Sequence, residues 1–553
     1  MEICPGHGLR ELCARPGAGM LPGAPAPAVT TPMLTTRIAT SRIVTTRGPG
    51  WRNDHQGGKE PMSGTNEIKR SWQHYIDGRF VDSLDGTRIP VVNPATGEVI
   101  ADIACAKAAD VDMAVAAARK AFNARLLQNM KPVERSRMMH RIARILLERT
   151  EEIALVETLD NGKRISAARG DVAAAARYFE YYAGMADKLE GKSIPLGPDY
   201  IDYTVHAPFG VSAQIVPWNF PLQIGARSIA CALATCNTVV MKTPELSALS
   251  LAALAQAVHD AGVPAGVVNI LTGFGHEAGA ALAGHGDIDH LVFTGSVQTG
   301  SRILHALADR VVPAVMELGG KSAGVVFRDA DIDQVITSTR GGIFTNAGQV
   351  CSASSRLVVE RPVYDQVVER MAAAASALKI GPGIEDAELT PVISDGQLDK
   401  IEAMCLRAVQ AGATAASGGR RVDRPGYFMA PTVIAGTTPS SEIAQNEVFG
   451  PVLTILPFDD AEEALAIANG TDYGLCAGVY TRDLARAHLV ADRLIAGQVF
   501  VNEWFAGGIE TPFGGMKRSG YGREKGVEAL LGYVQTKNVA IRLTAGATGR
   551  PGA

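Results

Sequence analysis

Cysteine is scarce and unpatterned in this chain of 553 residues. Cys4, Cys13, Cys105, Cys231, Cys236, Cys351, Cys405 and Cys476 form no C-x-x-C pair, and no Cys/His cluster has zinc-ligand spacing. No metal site is therefore expected. Without periodic cysteines a disulfide framework is not expected in so large a chain, and free thiols in a reducing cytoplasm are the expectation. Long apolar runs are absent too. None reaches the length of about 18 residues that reads as a transmembrane helix, and Gln223 and Arg227 interrupt the most apolar region. Charge of one sign is also lacking: the net charge is −4, without the basic excess of a nucleic-acid binder. Neither a nucleic-acid nor a membrane partner is expected. There is no internal repeat. What is present is length enough for two or three domains with separate cores.

Residues 1–61 differ from the rest. They are rich in Pro, Gly, Thr and Arg, with no acidic residue from Ala14 through Asn53. An organelle transit peptide has this charge bias, but Gly and Pro interrupt any amphipathic helix here. A disordered tail, or a start placed upstream of the true one at Met62-Ser63-Gly64, fits the composition better.

Beyond this segment the periodicity alternates between strand and helix. Tyr75 to Val81 reads as two strands around Asp77-Gly78, a hairpin signal. Helices are expected at 109–122, 132–149 and 151–160 and on to about 189, Pro132 sitting where a first-turn proline is tolerated. Strands at 211–216, 238–242, 267–271, 290–293 and 312–316 are separated by helices at 222–233, 247–261, 277–283 and 296–308. Such alternation predicts a parallel sheet covered on both faces, with ligands at the carboxyl ends of its strands. A second α/β set has strands at 322–327, 355–359, 452–456, 476–479 and 498–501, with helices at 332–341, 363–378, 397–410, 461–469 and 484–494. Segments 200–206 and 533–543 alternate and are expected as exposed strands.

Three segments carry chemistry. Phe344-Thr-Asn-Ala-Gly-Gln-Val-Cys-Ser-Ala353 places Cys351 near Asn346 and Gln349. Val216-Pro217-Trp218-Asn219-Phe220-Pro221 supplies an amide, and Glu317-Leu318-Gly319-Gly320-Lys321-Ser322 supplies a carboxylate. A thiol, an amide donor and a carboxylate are the three groups needed to oxidise an aldehyde through a thioester. A lone cysteine is more often an inert core residue. The polar loop sets Cys351 apart, and such a setting is expected to lower a thiol pKa.

PWNFP, MELGGKS and FTNAGQVC, followed in order by EVFGPV and PFGGMKRSGYGRE, resemble the aldehyde dehydrogenase superfamily, in its NAD(P)-dependent, hydrolytic, non-CoA-acylating form. The resemblance runs from about Ile76 to about Val539. It implies an α/β aldehyde dehydrogenase fold. A Rossmann-like NAD domain would take 62–188 and 209–317, an α/β catalytic domain 318–517, and a small oligomerisation sheet 189–208 and 518–545. A homodimer or homotetramer is implied as well. Cys351 would add to the aldehyde, with the oxyanion held by the Asn219 side chain and the Cys351 backbone N–H. Glu317 would activate water, which points to hydrolysis instead of acyl transfer to coenzyme A.

NAD is the implied cofactor. Glu245, just past the second strand, can accept from adenosine ribose hydroxyls and repel a 2′-phosphate, with Lys242 beside it. Gly295, Ser296 and Gly300 form a tight turn into a capped helix N-terminus suited to a pyrophosphate. Val216, Pro217 and Trp218 are expected along the cofactor crevice, and Glu447 and Phe449 at the nicotinamide ribose and ring.

By the same resemblance the substrate pocket is lined by Phe220, Gln223, Ile224, Arg227, Val350, Ser352, Gly507 and Phe513. Arg227 could pair with a substrate carboxylate, as in succinic semialdehyde dehydrogenases, or be held by a carboxylate elsewhere in the fold. Gly507 and Gly508 leave room for an aromatic ring. Trp504 is similar to the aromatic residue that contacts trimethylammonium in betaine aldehyde dehydrogenases, though Arg227 would repel that cation. Glu524 is a candidate relay for the proton of water. A non-catalytic structural homologue is the alternative outside enzymes, and Cys351, Glu317 and Asn219 together disfavour it.

Loss of one oxyanion donor typically raises a barrier by roughly 3 kcal/mol. Asn219→Ala is therefore expected to lower kcat about a hundredfold while NAD binding stays largely intact, as read by steady-state kinetics beside an NAD titration.

Overall fold

Five short strands, nearly all of whose residues are buried, form the parallel centre of the first sheet. The computed structural model describes residues 68–543, so the expectations for residues 1–61 lie outside the described residues. In spatial order the strands are Ala314–Glu317, His290–Thr294, Val211–Ile215, Thr238–Lys242 and Val268–Leu271, each parallel to its neighbours. Their side chains are buried because helices cover both faces, and polar ones such as Ser212, Gln214 and Asn269 are hydrogen-bonded within the fold. Val211–Ile215, first of the five in sequence, sits in the middle. The chain moves to one side of it and later to the other, so the carboxyl ends of Val211–Ile215 and His290–Thr294 flank a crevice at the switch point.

Two antiparallel additions extend this sheet to eight strands. One is the hairpin His74–Ile76 and Arg79–Val81, turned by Asp77 and Gly78 at φ +48° and +75°. Positive φ at both central residues is what a type I′ turn requires. The other is Gly520–Tyr521, which pairs with Met316 and Glu317. Residues 518–545 are thus divided: Gly520–Tyr521 joins the first sheet, while Val534–Arg542 does not. Ser519 secures the join, its carbonyl accepting from Leu318 N at 2.9 Å and its hydroxyl donating to Gly319 O at 2.7 Å.

Helix Pro221–Ala234 follows the central strand with Pro221 in its first turn and is buried on nearly every side. Helix Val297–Ala308 is capped by Ser296, whose Oγ accepts from Thr299 N. The segment expected as one helix at 277–283 is a π-helical turn, Gly275–Gly279, running into Ala280–Gly284. Two glycines with poor helix propensity lie there against the Lys242 side chain.

The second sheet has seven strands, in the order Thr414–Ser417, Thr432–Ala435, Val452–Phe458, Arg356–Glu360, Ala323–Val326, Cys476–Tyr480 and Gln498–Val501. All neighbours but the first pair are parallel. Thr414–Ser417 has a single β-branched residue, and Thr432–Ala435, although it carries Thr432, Val433 and Ile434, is only four residues long, so neither shows an extended periodicity.

Tyr200–Pro208 and Val534–Arg542 pair with each other in one nine-residue antiparallel register, with Ser193–Ile194 on the far side. Each was expected as a strand for contact between subunits; here they satisfy one another within the chain. Ile201 stands opposite Ile541 and Tyr203 opposite Val539, so one face of this sheet shows Ile201, Tyr203, Val205 and Ile541 to solvent. All six cysteines among the described residues are unpaired. No helix among the described residues is long and apolar enough to cross a membrane.

Candidate active site

The crevice at the switch point opens into a cavity of about 210 Å³. Its lining brings together Cys351, Asn219 and Glu317 with Pro217, Trp218, Gly295, Ser296, Glu447 and Phe449. The loop after the first central strand carries Pro217 to Asn219. The fifth strand ends in Glu317, and the helix Ile332–Phe344 leads to Cys351. Thr294, Gly319 and Gln397 also line the cavity; nothing in their residue types marked them.

The Cys351 loop is held by amides. Helix Ile332–Phe344 gives way to Thr345–Gly348, where Asn346, Ala347 and Gly348 have φ of +50°, +53° and +71° in succession. Left-handed backbone at two non-glycine residues stores strain, and it persists because the surroundings fix it. Asn346 Nδ2 donates to Asn219 O at 3.0 Å, and Asn219 Nδ2 donates to Gln349 O at 2.9 Å. Gln349 Nε2 donates to Asn346 O at 3.1 Å, while its Oε1 accepts from Ile393 N at 2.9 Å. A carboxamide nitrogen has two protons; one of Asn219's is used within the fold, and the other is left for a ligand oxygen. On the far side, Trp504 Nε1 donates to Ser352 O at 2.9 Å. Trp504 is buried against Phe500, with ring centroids 5.3 Å apart, and holds the loop instead of lining it.

Glycines admit close approach at two points. A Cβ on Gly319 would lie 2.2 Å from Glu447 Oε2, and one on Gly320 would lie 2.6 Å from the Cys351 carbonyl. Glu447 Oε1 in turn accepts from Gly320 N at 3.0 Å. Phe449 has φ +54°. Its ring meets Trp218 edge-on at 5.2 Å, and its carbonyl accepts from Gln397 Nε2 at 2.9 Å.

Burial governs the charges. Glu317 is 2% exposed, and neither carboxylate oxygen has a hydrogen-bond partner among the described residues. Loss of hydration raises its pKa to about 8, against the pull of Arg227, Arg523 and Lys525. Burial likewise pushes the Cys351 thiol up to about 12, with Glu447 and Glu317 adding to the effect. The expectation that the polar loop lowers this pKa is overturned: the loop spends its amides on backbone carbonyls, and none faces the sulfur as a cation would. Burial also raises Glu447, to about 7.

A second group lies at the next strand. Lys242 Nζ donates to Glu245 Oε2 at 3.0 Å, and burial lowers the lysine pKa while Glu245 opposes the shift. Beside this pair a slot of about 410 Å³ runs between Gly275–Gly279 and helix Val297–Ala308, lined by Ile215, His276, Thr299 and Ile303 among others. Sequence reading missed it; the paired glycines at 275 and 279 were the available signal. An intervening hollow of about 550 Å³, lined by Ser296, Gln298, Arg302, Glu447 and Arg518, shares residues with both. Gly300 packs on Leu318, which a Cβ would meet at 2.7 Å, and Val216 N donates to Lys242 O at 3.2 Å.

The residues expected around the aldehyde are mostly engaged in the fold. Phe220 lies 4.5 Å beneath the buried Lys163 ammonium, and Gln223 Nε2 donates to Asp171. Ile224 and Val350 are buried, and Gly507 has φ +101°. Phe513 exchanges backbone hydrogen bonds with Glu524 and packs in the cluster that Cys351 touches. Arg227 was read as free for a substrate carboxylate or held by one in the fold. It is buried in an ion pair with Glu524, so the carboxylate that faces this guanidinium comes from the fold.

Residues 80–539 match the model of the aldehyde dehydrogenase family. An aldehyde dehydrogenase of Aspergillus niger is 45% identical over 471 residues, 85% of this chain and 95% of that protein. One from Emericella nidulans is 44% identical over the same shares. A solved structure, the NAD+ complex of aldehyde dehydrogenase from Bacillus cereus, superposes with a TM-score of 0.85 at 40% identity, covering 87% of this chain and 98% of that one.

A carboxyl group raised to about 8 is mostly protonated at pH 7 and becomes a base as pH rises. If Glu317 draws the proton from water, the rate of the hydrolytic step is expected to climb about tenfold from pH 7 to pH 9. The climb is absent in Glu317→Gln, where single-turnover NADH release is kept and later turnovers stall; stopped-flow traces across pH check both.

Proposed function

The chain belongs to the aldehyde dehydrogenase family, and from that premise we propose that it oxidises an aldehyde to the carboxylic acid with NAD, through a thioester on Cys351. The observation that carries the reading is the meeting of Cys351, Asn219 and Glu317 in one cavity that also holds Glu447 and Phe449.

The residues fit NAD along the line of three hollows. The slot beside Gly275 and Gly279 suits a flat apolar ring such as adenine. Lys242 and Glu245 stand where ribose hydroxyls would be met, and Glu245 disfavours a 2′-phosphate. Ser296 opens the twelve-residue helix Val297–Ala308, whose N-terminus suits a pyrophosphate. Glu447, reachable only because Gly319 lacks a side chain, is placed for the second ribose. When bound, NAD supplies the hydride acceptor.

The chain's own residues do the rest. The Cys351 sulfur adds to the carbonyl carbon as a thiolate, its proton having passed to solvent water. Since burial holds that thiol near 12, the reactive thiolate needs added positive charge or a base at the site. The free N–H of Asn219 and the backbone N–H of Cys351 hold the oxyanion. After the thioester has formed, Glu317 takes a proton from water, whose oxygen bonds to the acyl carbon as sulfur leaves. Glu317 favours water as acceptor over coenzyme A.

Purified protein with NAD and a panel of hexanal, benzaldehyde, succinic semialdehyde and betaine aldehyde is expected to form NADH without coenzyme A, and Cys351→Ala is expected to form none. Absence of NADH across the panel would leave the structural-homologue reading standing.

We also propose a second copy of this chain as the occupant of the sheet face bearing Ile201, Tyr203, Val205 and Ile541. Contiguous exposed apolar surface of this kind marks association. Sedimentation velocity is expected to show a dimer or tetramer that Tyr203→Lys with Ile541→Lys reduces to monomer; an unchanged sedimentation coefficient would discard the interface.

A further inference from the structure

Lys525 adjoins Glu524 in sequence but does not share its ion pair. Its backbone is left-handed, with φ +64°. Its ammonium lies 5.2 Å over the ring of Phe513. Phe513 belongs to the apolar cluster of Cys476, Phe500 and Trp504 against which Cys351 packs. The charge of Lys525 is close enough to interact with Cys351, Cys476, Glu317 and Arg227. Among the described residues its ammonium makes neither an ion pair nor a hydrogen bond, the ring contact being its one interaction of note.

The surrounding charges do not compensate it. Arg227 is held by Glu524 in a buried ion pair. Glu317 is mostly protonated at neutral pH, for the reason given above. Lys525 itself is pulled down to about 8 by burial and by Arg227, so it still carries its proton at pH 7. Lys525 is thus left as a cation over the largely apolar cluster that Cys351 packs against, whereas Arg523, the other cation acting on Glu317, donates to the carbonyls of Gly515 and Gly522. A half-buried ammonium without a partner is costly, and a ligand of opposite charge relieves that cost.

We propose that Lys525 selects aldehydes that bear a carboxylate away from the reacting carbon, its ammonium serving as the counter-charge that the Glu524-bound Arg227 cannot supply. The proposal rests on the aldehyde dehydrogenase reading above. It places no new step in the chemistry; it assigns the far end of the substrate. The same unbalanced charge works against a trimethylammonium substrate.

The test compares succinic semialdehyde with butanal, which has the same carbon chain and a methyl in place of the carboxylate. In the wild-type enzyme kcat/KM is expected to favour succinic semialdehyde. Lys525→Met is expected to lower the ratio of the two kcat/KM values about tenfold or more, mainly through KM for the semialdehyde, and Lys525→Arg to preserve it. In wild type alone, succinate is expected to inhibit butanal oxidation more strongly than butyrate does. A wild-type preference for butanal would overturn the assignment. So would an equal loss on both substrates in Lys525→Met, which would make the ammonium a support for the Cys351 thiolate. No NADH from either aldehyde, with none from hexanal or benzaldehyde, would instead remove the family reading on which the proposal stands.

Discussion

Two loops from opposite sides of the crevice are stitched together by their amides, and the site exists because of that stitch. Asn346 donates to the carbonyl of Asn219, and Asn219 donates to the carbonyl of Gln349. The first loop leaves the nucleotide-type sheet; the second leads to Cys351. Neither has regular structure to define it, and the second passes through three left-handed residues in a row. Backbone of that kind is retained only where neighbours determine it. The same amide that closes the stitch has a second proton and lines the cavity with Cys351, so the group that positions the thiol loop is also a donor available there. Ser352, tied to the Trp504 indole, anchors the loop from behind.

Burial then sets the chemistry of what the stitch brings together. Cys351, Glu317 and Glu447 are each shifted toward the neutral form, and in each the largest cause is loss of hydration. A thiol so shifted needs added positive charge or a base before it becomes the reactive thiolate. Arg227, Arg523 and Lys525 oppose the shift of Glu317 without cancelling it.

Much of this was legible in the residues. Alternating strand and helix signals located both parallel sheets, and Thr238–Lys242, Ala461–Asn469 and Gln498–Val501 came out with their observed ends. The three chemical segments do meet in one cavity. What stayed hidden depends on partners distant in sequence. Arg227 is neutralised by Glu524, and no local pattern ties those positions together. The high thiol pKa of Cys351 follows from three-dimensional burial, while its immediate neighbours are polar. The strand Thr414–Ser417 has one β-branched residue and lacks the density that marks a strand, whereas Thr432–Ala435, with Thr432, Val433 and Ile434 in a row, carried the signal in only four residues. The π-helical turn at Gly275–Gly279 needs the Lys242 side chain beside it to be understood.

Gly520–Tyr521 lies alongside the strand that ends in Glu317, and Ser519 ties Leu318 and Gly319 to it. The acid at the centre of the proposed hydrolysis is thus walled in by a piece of chain some two hundred residues further on, as the separation of 200 between Ser519 and Gly319 records. Closure of this edge of the first sheet therefore depends on a contact of long sequence separation, of the kind that forms late because its loop must be ordered first.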